Sequence, residues 1–498
     1  MFYQSTRGIG TKLTSAQAIA QGLSTDGGLF VPESFPKVTM DYISSLVGMP
    51  YSYIAKNIMG LYLSDFSEEE LEEFTKKAYK VPGFDCEDIA PVHKLCDGTH
   101  FLELWHGPTA AFKDMALQML PHLLVASLKK TNEDRKVCIL VATSGDTGKA
   151  ALEGFKDIDG TCIVVFYPVE GVSDVQKLQM NTQEGNNLEV IAVEGNFDDA
   201  QTGVKNIFSD VAFREQLDKE GYFLSSANSI NWGRLVPQIV YYFSAYCSLI
   251  KSGDIKLGDE INFCVPTGNF GNILAGYYAK QMGLPVGKLI CASNSNDVLT
   301  QFIDTGVYDK NRQFFTTMSP SMDILVSSNL ERLLYEVGGK NGEFVNGLMT
   351  CLNEKGIYEV SSDTLAKIKD VFSSGTCDEA ETKRTILEVF NEFNYLMDTH
   401  TAVAHKVLND YRIKSGDNTP AVIVSTASAF KFCENVLGAL EETAEISEGG
   451  VELLDKLSTK SNCQIPAPLG SLKGKKERFS TVVATYNMKE EVSKFLRG

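Results

Sequence analysis

No apolar run in the 498-residue chain reaches the length of a bilayer-spanning helix, so a helical membrane protein is not expected. The eleven cysteines form no C-x-x-C, and their odd number and scattered spacing read as buried thiols of a reducing compartment, not as a disulfide frame or zinc site. The six histidines contain no H-E-x-x-H, and His400 and His405, five residues apart, fall off a single helical face; no metal is expected. Positive charge is in deficit, with a formal net charge of −18, which argues against nucleic acid or an anionic membrane as partner. An anionic small molecule is still compatible, because a few cations and helix N-termini can reverse the field inside a cleft. The opening MFYQSTRGIGTK has neither the apolar core of a secretory signal nor an Arg/Ser-rich leader, and the cytoplasm is the expected compartment. Internal repeats and low-complexity tracts are missing as well.

What is present is an alternation. The length suggests two to four domains with ample core. Residues up to about Pro91 form a helical preface, in which Ser67 followed by Glu68, Glu69 and Glu70 reads as an N-cap with acids in the first turn. Beyond Phe101, short Val/Ile/Cys-rich runs alternate with helical patterns: 136–142, 161–168, 187–195, 260–268, 288–294 and 420–428. Near-continuous apolar runs suit strands covered on both faces, and their alternation with helices predicts an α/β fold with parallel sheets flanked by helices. Residues 296–392 are longer and more helical, and nothing in them suggests a role beyond scaffold.

Two strand–loop–helix junctions could hold an anion. In ILVATSGDTGKAALEGF the strand ends near Ala142, the loop is 143–148 and a helix opens near Lys149. In FCVPTGNFGNILAGYYAKQMGLP the strand ends at Val265, the loop is 266–272, and a helix from about Ile273 ends at Met282 with Gly283 beyond it. Glycines let backbone N–H groups converge, and a helix start adds partial positive charge. Neither loop has the spacing of a nucleotide-binding signature. A single lysine, Lys113, stands in HGPTAAFKDMALQML, ahead of an apolar stripe of Ala116, Met119, Leu120, Leu123 and Leu124. A cation at a helix start opposes the dipole; burial there would lower the amine's pKa, as in lysines that form Schiff bases.

HGPTAAFKDMALQ, ATSGDTGKAA, PTGNFGN, GLSTDGGLFVPE, NSINWGRLVPQ and SPSMDILVSSNLERLL together resemble the threonine synthases, and the matches run from the first residues past Thr426. The resemblance implies a fold type II pyridoxal-phosphate enzyme, tryptophan synthase beta-like, with an N-terminal helical domain. The expected division is 1–92, a small α/β domain at 136–239, and a large cofactor-binding domain from 93–135 and 240–498. The implied reaction converts O-phospho-L-homoserine and water to L-threonine and phosphate.

Residue roles follow from the same resemblance. Lys113 would carry pyridoxal 5'-phosphate covalently and then move protons as base and acid. Gly268, Asn269, Phe270, Gly271 and Asn272 would hold the cofactor phosphate, and the Thr426 hydroxyl would meet the pyridine nitrogen. Ser144, Gly145, Asp146, Thr147 and Gly148 would take the substrate carboxylate. Asn228, Ser229, Asn231 and Arg234 would take the substrate phosphate, for which an arginine fork is well suited. His106 would either help position phosphate or satisfy a core hydrogen bond. A phospho-lyase giving a 2-oxo acid, ammonia and phosphate would carry nearly the same motifs. A non-catalytic binding protein is a further alternative, which the intact lysine and loops disfavour. A monomer or homodimer is expected.

Overall fold

The computed structural model describes residues 1–8, 10–442 and 449–498. Two sheets organise it. The smaller has five parallel strands in the order Thr481–Val483, Leu188–Val193, Thr161–Pro168, Lys136–Ala142 and Tyr222–Ser225. The larger has six, in the order Phe372–Thr376, Val286–Ser293, Ile261–Pro266, Ala421–Ser425, Thr99–Glu103 and Val92–Cys96. All its neighbours are parallel except the last two, which form an antiparallel edge. Strands such as Thr161–Pro168 and Ile261–Pro266 are buried along their whole length, which explains their unbroken apolar character: helices cover both faces.

The N-terminal preface is helical, with Ser15–Gln21, Met40–Leu46, Tyr51–Gly60 and Glu68–Ala78. Ser67 closes a capping box with Glu70, as its sequence position suggests. A two-stranded antiparallel pair, Tyr3–Ser5 with Phe30–Pro32, joins it; three-residue strands are too short to carry a legible period. The stripe after Lys113 is two helices, Asp114–Leu117 and Leu120–Lys130, because Pro121 suits a helix start and cannot continue an earlier helix.

One expected boundary needs correction. Residues 240–498 do not all follow the larger sheet, since Thr481–Val483 pairs with Leu188–Val193 and the helix Met488–Arg497 contributes Met488 and Val492 to the smaller sheet's core. The eleven cysteines are free, and most are buried. Among the described residues no helix is long and apolar enough to cross a membrane, and no group of three His, Cys, Asp or Glu could hold a metal ion.

Candidate active site

Lys113 stands at the N-cap of the helix Asp114–Leu117, with a side chain only 12% exposed. Its Nζ is 3.4 Å from Ser321 Oγ and 3.6 Å from Asp146 Oδ2. Asp146 opens the helix Asp146–Phe155 beyond the strand Lys136–Ala142 of the smaller sheet; Ser321 lies in the 3-10 turn Pro320–Met322. Three distant parts of the chain thus converge on one amine.

Asp146 is the hub of the charges. Its carboxylate accepts from Lys431 Nζ at 2.6 Å, Gln176 Nε2 at 2.8 Å and Ser321 Oγ at 3.3 Å. Lys431 is fully buried and donates also to the Thr109 carbonyl at 3.0 Å. Burial pushes the Asp146 carboxyl up, but the charges of Lys431 and Lys113 outweigh it and hold the group well below the usual carboxylate range. For Lys113 burial is the largest cause. Asp146 opposes it, Lys431 and Arg234 reinforce it, and the amine is brought down to about 8.

The first loop is built around Thr143, whose Oγ1 accepts from the N–H groups of Gly145 at 3.0 Å and Gly148 at 2.9 Å. Two of the five expected donors are therefore spent internally, leaving the N–H groups of Ser144, Asp146 and Thr147 at the helix start. Gly145 has φ +133, and a Cβ on it would lie 2.5 Å from Gln176 Cδ, so this position admits only glycine. The Asp146 side chain itself points away from the anion role, into the Lys431–Gln176 cluster.

The second loop leaves its donors unspent. Phe270, in the left-handed region at φ +64, precedes the helix Gly271–Met282, which has no side-chain cap. The carbonyls of Gly268 and Asn269 are tied down by Ser327 Oγ (2.7 Å) and by Asn329 N and Nδ2 (3.1 and 3.0 Å), fixing the loop from behind. Asn272 Oδ1 accepts from the hydroxyls of Tyr241 (2.6 Å) and Tyr242 (2.9 Å), while its buried Nδ2 has no partner. N–H groups without partners at a helix start, followed by an orphaned amide, suit an anion.

Arg234 is 3% exposed, with one bond from Nη1 to the Ala227 carbonyl at 2.9 Å and a partnerless Nε. Burial brings its pKa down to about 10, and among the described residues no carboxylate pairs with it. A buried guanidinium without a counter-ion is the strongest sign of an anionic ligand in the site. Ser229 lies beside the second loop: its Cβ is 3.7 Å from where a Cβ on Gly271 would be, and its Oγ accepts from Asn329 Nδ2 at 3.0 Å. Asn228 is half-buried next to it. Asn231 departs from the expected role. Its Oδ1 caps the helix Trp232–Ser252 through the Gly233 N–H at 2.8 Å, and its Nδ2 donates to the Ile19 carbonyl at 3.1 Å, so both ends of its side chain are engaged in holding the fold.

Thr426 follows the strand Ala421–Ser425, and its carbonyl accepts from the Phe112 N–H at 2.8 Å, which sets it beside the lysine segment. His106 has both ring nitrogens engaged, with Asp85 at 2.6 Å and Glu103 at 2.9 Å. Burial would lower its pKa, but the two carboxylates outweigh that and push it up to about 9; it is a structural clamp.

Lys431, Ser321, Gln176 and Thr143 were not anticipated. A signal for Lys431 exists in hindsight: Ala429-Phe430-Lys431 repeats the Ala111-Phe112-Lys113 triplet. The two segments are also bridged through Ala111 and Ala427.

A buried lysine with a lowered pKa between two glycine-rich helix starts, at the strand ends of two α/β sheets, is the arrangement of a pyridoxal-phosphate enzyme of fold type II. Residues 91–427 match the family model for pyridoxal-phosphate dependent enzymes, and residues 2–79 match that for the threonine synthase N terminus. The chain belongs to the threonine synthase family. It is 41% identical to the threonine synthase of Pseudomonas aeruginosa, over 88% of this chain and 90% of that one. The pyridoxal-phosphate-bound threonine synthase from Brucella melitensis superposes with a TM-score of 0.88 at 38% identity, covering both chains in full. The human protein named threonine synthase-like 1 is 42% identical over 88% of this chain, which spans 60% of that protein's length. The residues present fit the cofactor: the cradle at 268–272 with its orphaned Asn272 amide suits a phosphate, and Lys113 is a buried amine held near neutrality.

Proposed function

We propose that the protein is a threonine synthase, converting O-phospho-L-homoserine and water to L-threonine and phosphate. The observation that carries this reading is Arg234, a buried cation with no counter-ion in a site that already has a separate phosphate cradle. Two phosphates, one of the cofactor and one of the substrate, account for both.

When bound to the substrate amine, pyridoxal phosphate withdraws electrons from the substrate's carbons and makes their protons removable. The chain's residues do the rest. The N–H groups of Gly268 to Asn272 and the Asn272 side chain hold the cofactor phosphate at a helix start. The N–H groups of Ser144, Asp146 and Thr147 receive the substrate carboxylate at the other. Arg234, with Asn228 and Ser229, takes the substrate phosphate and steadies it as it leaves from Cγ. Lys113 Nζ removes the Cα proton and returns protons later, a task suited to an amine with a pKa of about 8. The Thr426 hydroxyl would meet the pyridine nitrogen without adding charge to it.

Arg234→Ala tests the assignment of the two phosphates. Loss of a hydrogen bond to a charged partner costs about 1.5–3 kcal/mol, so kcat/KM for O-phosphohomoserine should fall roughly tenfold to a hundredfold, with cofactor affinity nearly unchanged. Loss of cofactor with an intact kcat/KM would show that Arg234 serves the other phosphate.

A further inference from the structure

The segment between the larger sheet's strands Val286–Ser293 and Phe372–Thr376 has no evident task except scaffold, yet it delivers Ser321 to the reactive lysine. Ser321 Oγ accepts from Lys113 Nζ at 3.4 Å and donates to Asp146 Oδ2 at 3.3 Å. The residue is fixed from two further sides. Its carbonyl lies 2.6 Å from where a Cβ on Gly268 would be, so Ser321 packs directly on the first glycine of the phosphate cradle. Its N–H donates to His400 Nε2 at 3.2 Å, and His400 Nδ1 pairs with Asp398 Oδ1 at 2.9 Å. That pairing sets the tautomer: Nδ1–H donates to Asp398, which leaves the Nε2 lone pair for the Ser321 N–H. His400 and Asp398 are both buried, at the start of the helix Thr399–Ser415, and Thr399 Oγ1 ties the same segment through the Met318 carbonyl at 2.8 Å.

Lys113 has two polar neighbours with different abilities. The Asp146 carboxylate only accepts, and so holds the ammonium strongly but offers nothing to the lone pair of the neutral amine. A serine hydroxyl both accepts and donates by rotating about its C–O bond. We infer that Ser321 is the switchable partner of Lys113, and that Asp398 and His400 position it there. With Lys113 charged, Ser321 accepts from Nζ and gives its own proton to the Asp146 hydrogen bond. With Lys113 neutral, the hydroxyl turns to donate to the amine lone pair. Only a hydrogen bond changes hands; no covalent bond to Ser321 forms. The amine is thereby kept aimed in both of the protonation states that its proposed work as base and acid requires, and in that respect the inference rests on the proposed activity.

The test compares the full chain with Ser321→Ala, His400→Phe and His400→Gln, using two readouts. The first is the rate at which cofactor-free protein takes up pyridoxal phosphate above pH 9, followed by absorbance. The second is kcat and KM for O-phosphohomoserine. Ser321→Ala and His400→Phe should each slow uptake and lower kcat by about tenfold, the order expected for losing one orienting hydrogen bond, with KM changed less than about twofold. His400→Gln supplies an amide oxygen for the Ser321 N–H and should recover most of both rates. Uptake by Ser321→Ala at the parent rate would overturn the role of Ser321. A His400→Gln variant as slow as His400→Phe, with Ser321→Ala slow, would overturn the positioning chain. Should His400→Phe not fold, Ser321→Ala and His400→Gln decide the matter alone. A parent protein that takes up cofactor but makes no threonine would sink the proposed activity, and the uptake comparison would still judge Ser321.

Discussion

Lys113 and Asp146 show how residue chemistry sets the site. An amine in water would stay charged well above neutral pH; here burial brings it to about 8, and only the neutral form can attack an aldehyde. Cofactor uptake by the stripped protein should therefore climb with pH and reach half its plateau near 8. Because Asp146 favours the ammonium, Asp146→Asn should move that midpoint lower; a midpoint left near 10.5, the ordinary lysine value, would show that Lys113 is not buried as described. Lys113→Ala should lose the absorbance band of lysine-bound cofactor and several orders of magnitude of turnover, and near-normal turnover would remove Lys113 from the chemistry. The lysine was legible because it stood between a fixed turn and an apolar stripe. Lys431 and Ser321 were not, because their partners lie far away in sequence; the Ala-Phe-Lys triplet that Lys431 shares with the Lys113 segment gains its meaning only once the fold is known. Asn231 misled for the opposite reason: an asparagine before a helix looks the same whether it caps that helix or binds a ligand.

The elements that present these residues obey simple rules. Both glycine-rich loops follow a parallel strand and precede a helix, and that placement was legible from their glycines and apolar flanks. Their inner workings were less so. The start of the helix Asp146–Phe155, three residues ahead of Lys149, and the use of Thr143 to consume two loop N–H groups depend on side-chain geometry that spacing does not encode. Gly268 offers a direct check on how the larger sheet's loop meets the segment carrying Ser321. A Cβ there would press on the Ser321 carbonyl at 2.6 Å, a contact that backbone on both sides cannot relax cheaply. Gly268→Ala should cost about 1–3 kcal/mol locally and weaken cofactor binding roughly tenfold or more, with helical content retained by circular dichroism. Cofactor affinity equal to the parent's would mean that the cradle and the Ser321 turn do not pack as described.

At the scale of the whole molecule, the larger sheet carries the loop 266–272, the smaller sheet carries the loop 143–148, and Lys113 lies on the segment running from one to the other. The alternation of strands and helices made this α/β architecture readable. The return of Thr481–Val483 to the smaller sheet was not readable, because a three-residue edge strand takes its identity from a partner nearly three hundred residues earlier. A chain with net charge −18 gathers three cations, Lys113, Lys431 and Arg234, around Asp146, with one further buried carboxyl, Asp114, near Lys431. That local excess suits a substrate with both a carboxylate and a phosphate, although the chain as a whole is acidic.

Product analysis tests the central claim most directly. The purified full chain, loaded with pyridoxal phosphate, is given O-phospho-L-homoserine, and amino acid, 2-oxo acid, ammonia and phosphate are quantified together. We expect L-threonine and phosphate in equal amounts, with little 2-oxo acid or ammonia. Phosphate released with 2-oxo acid and ammonia in place of threonine, or no phosphate released at all, would contradict the assignment.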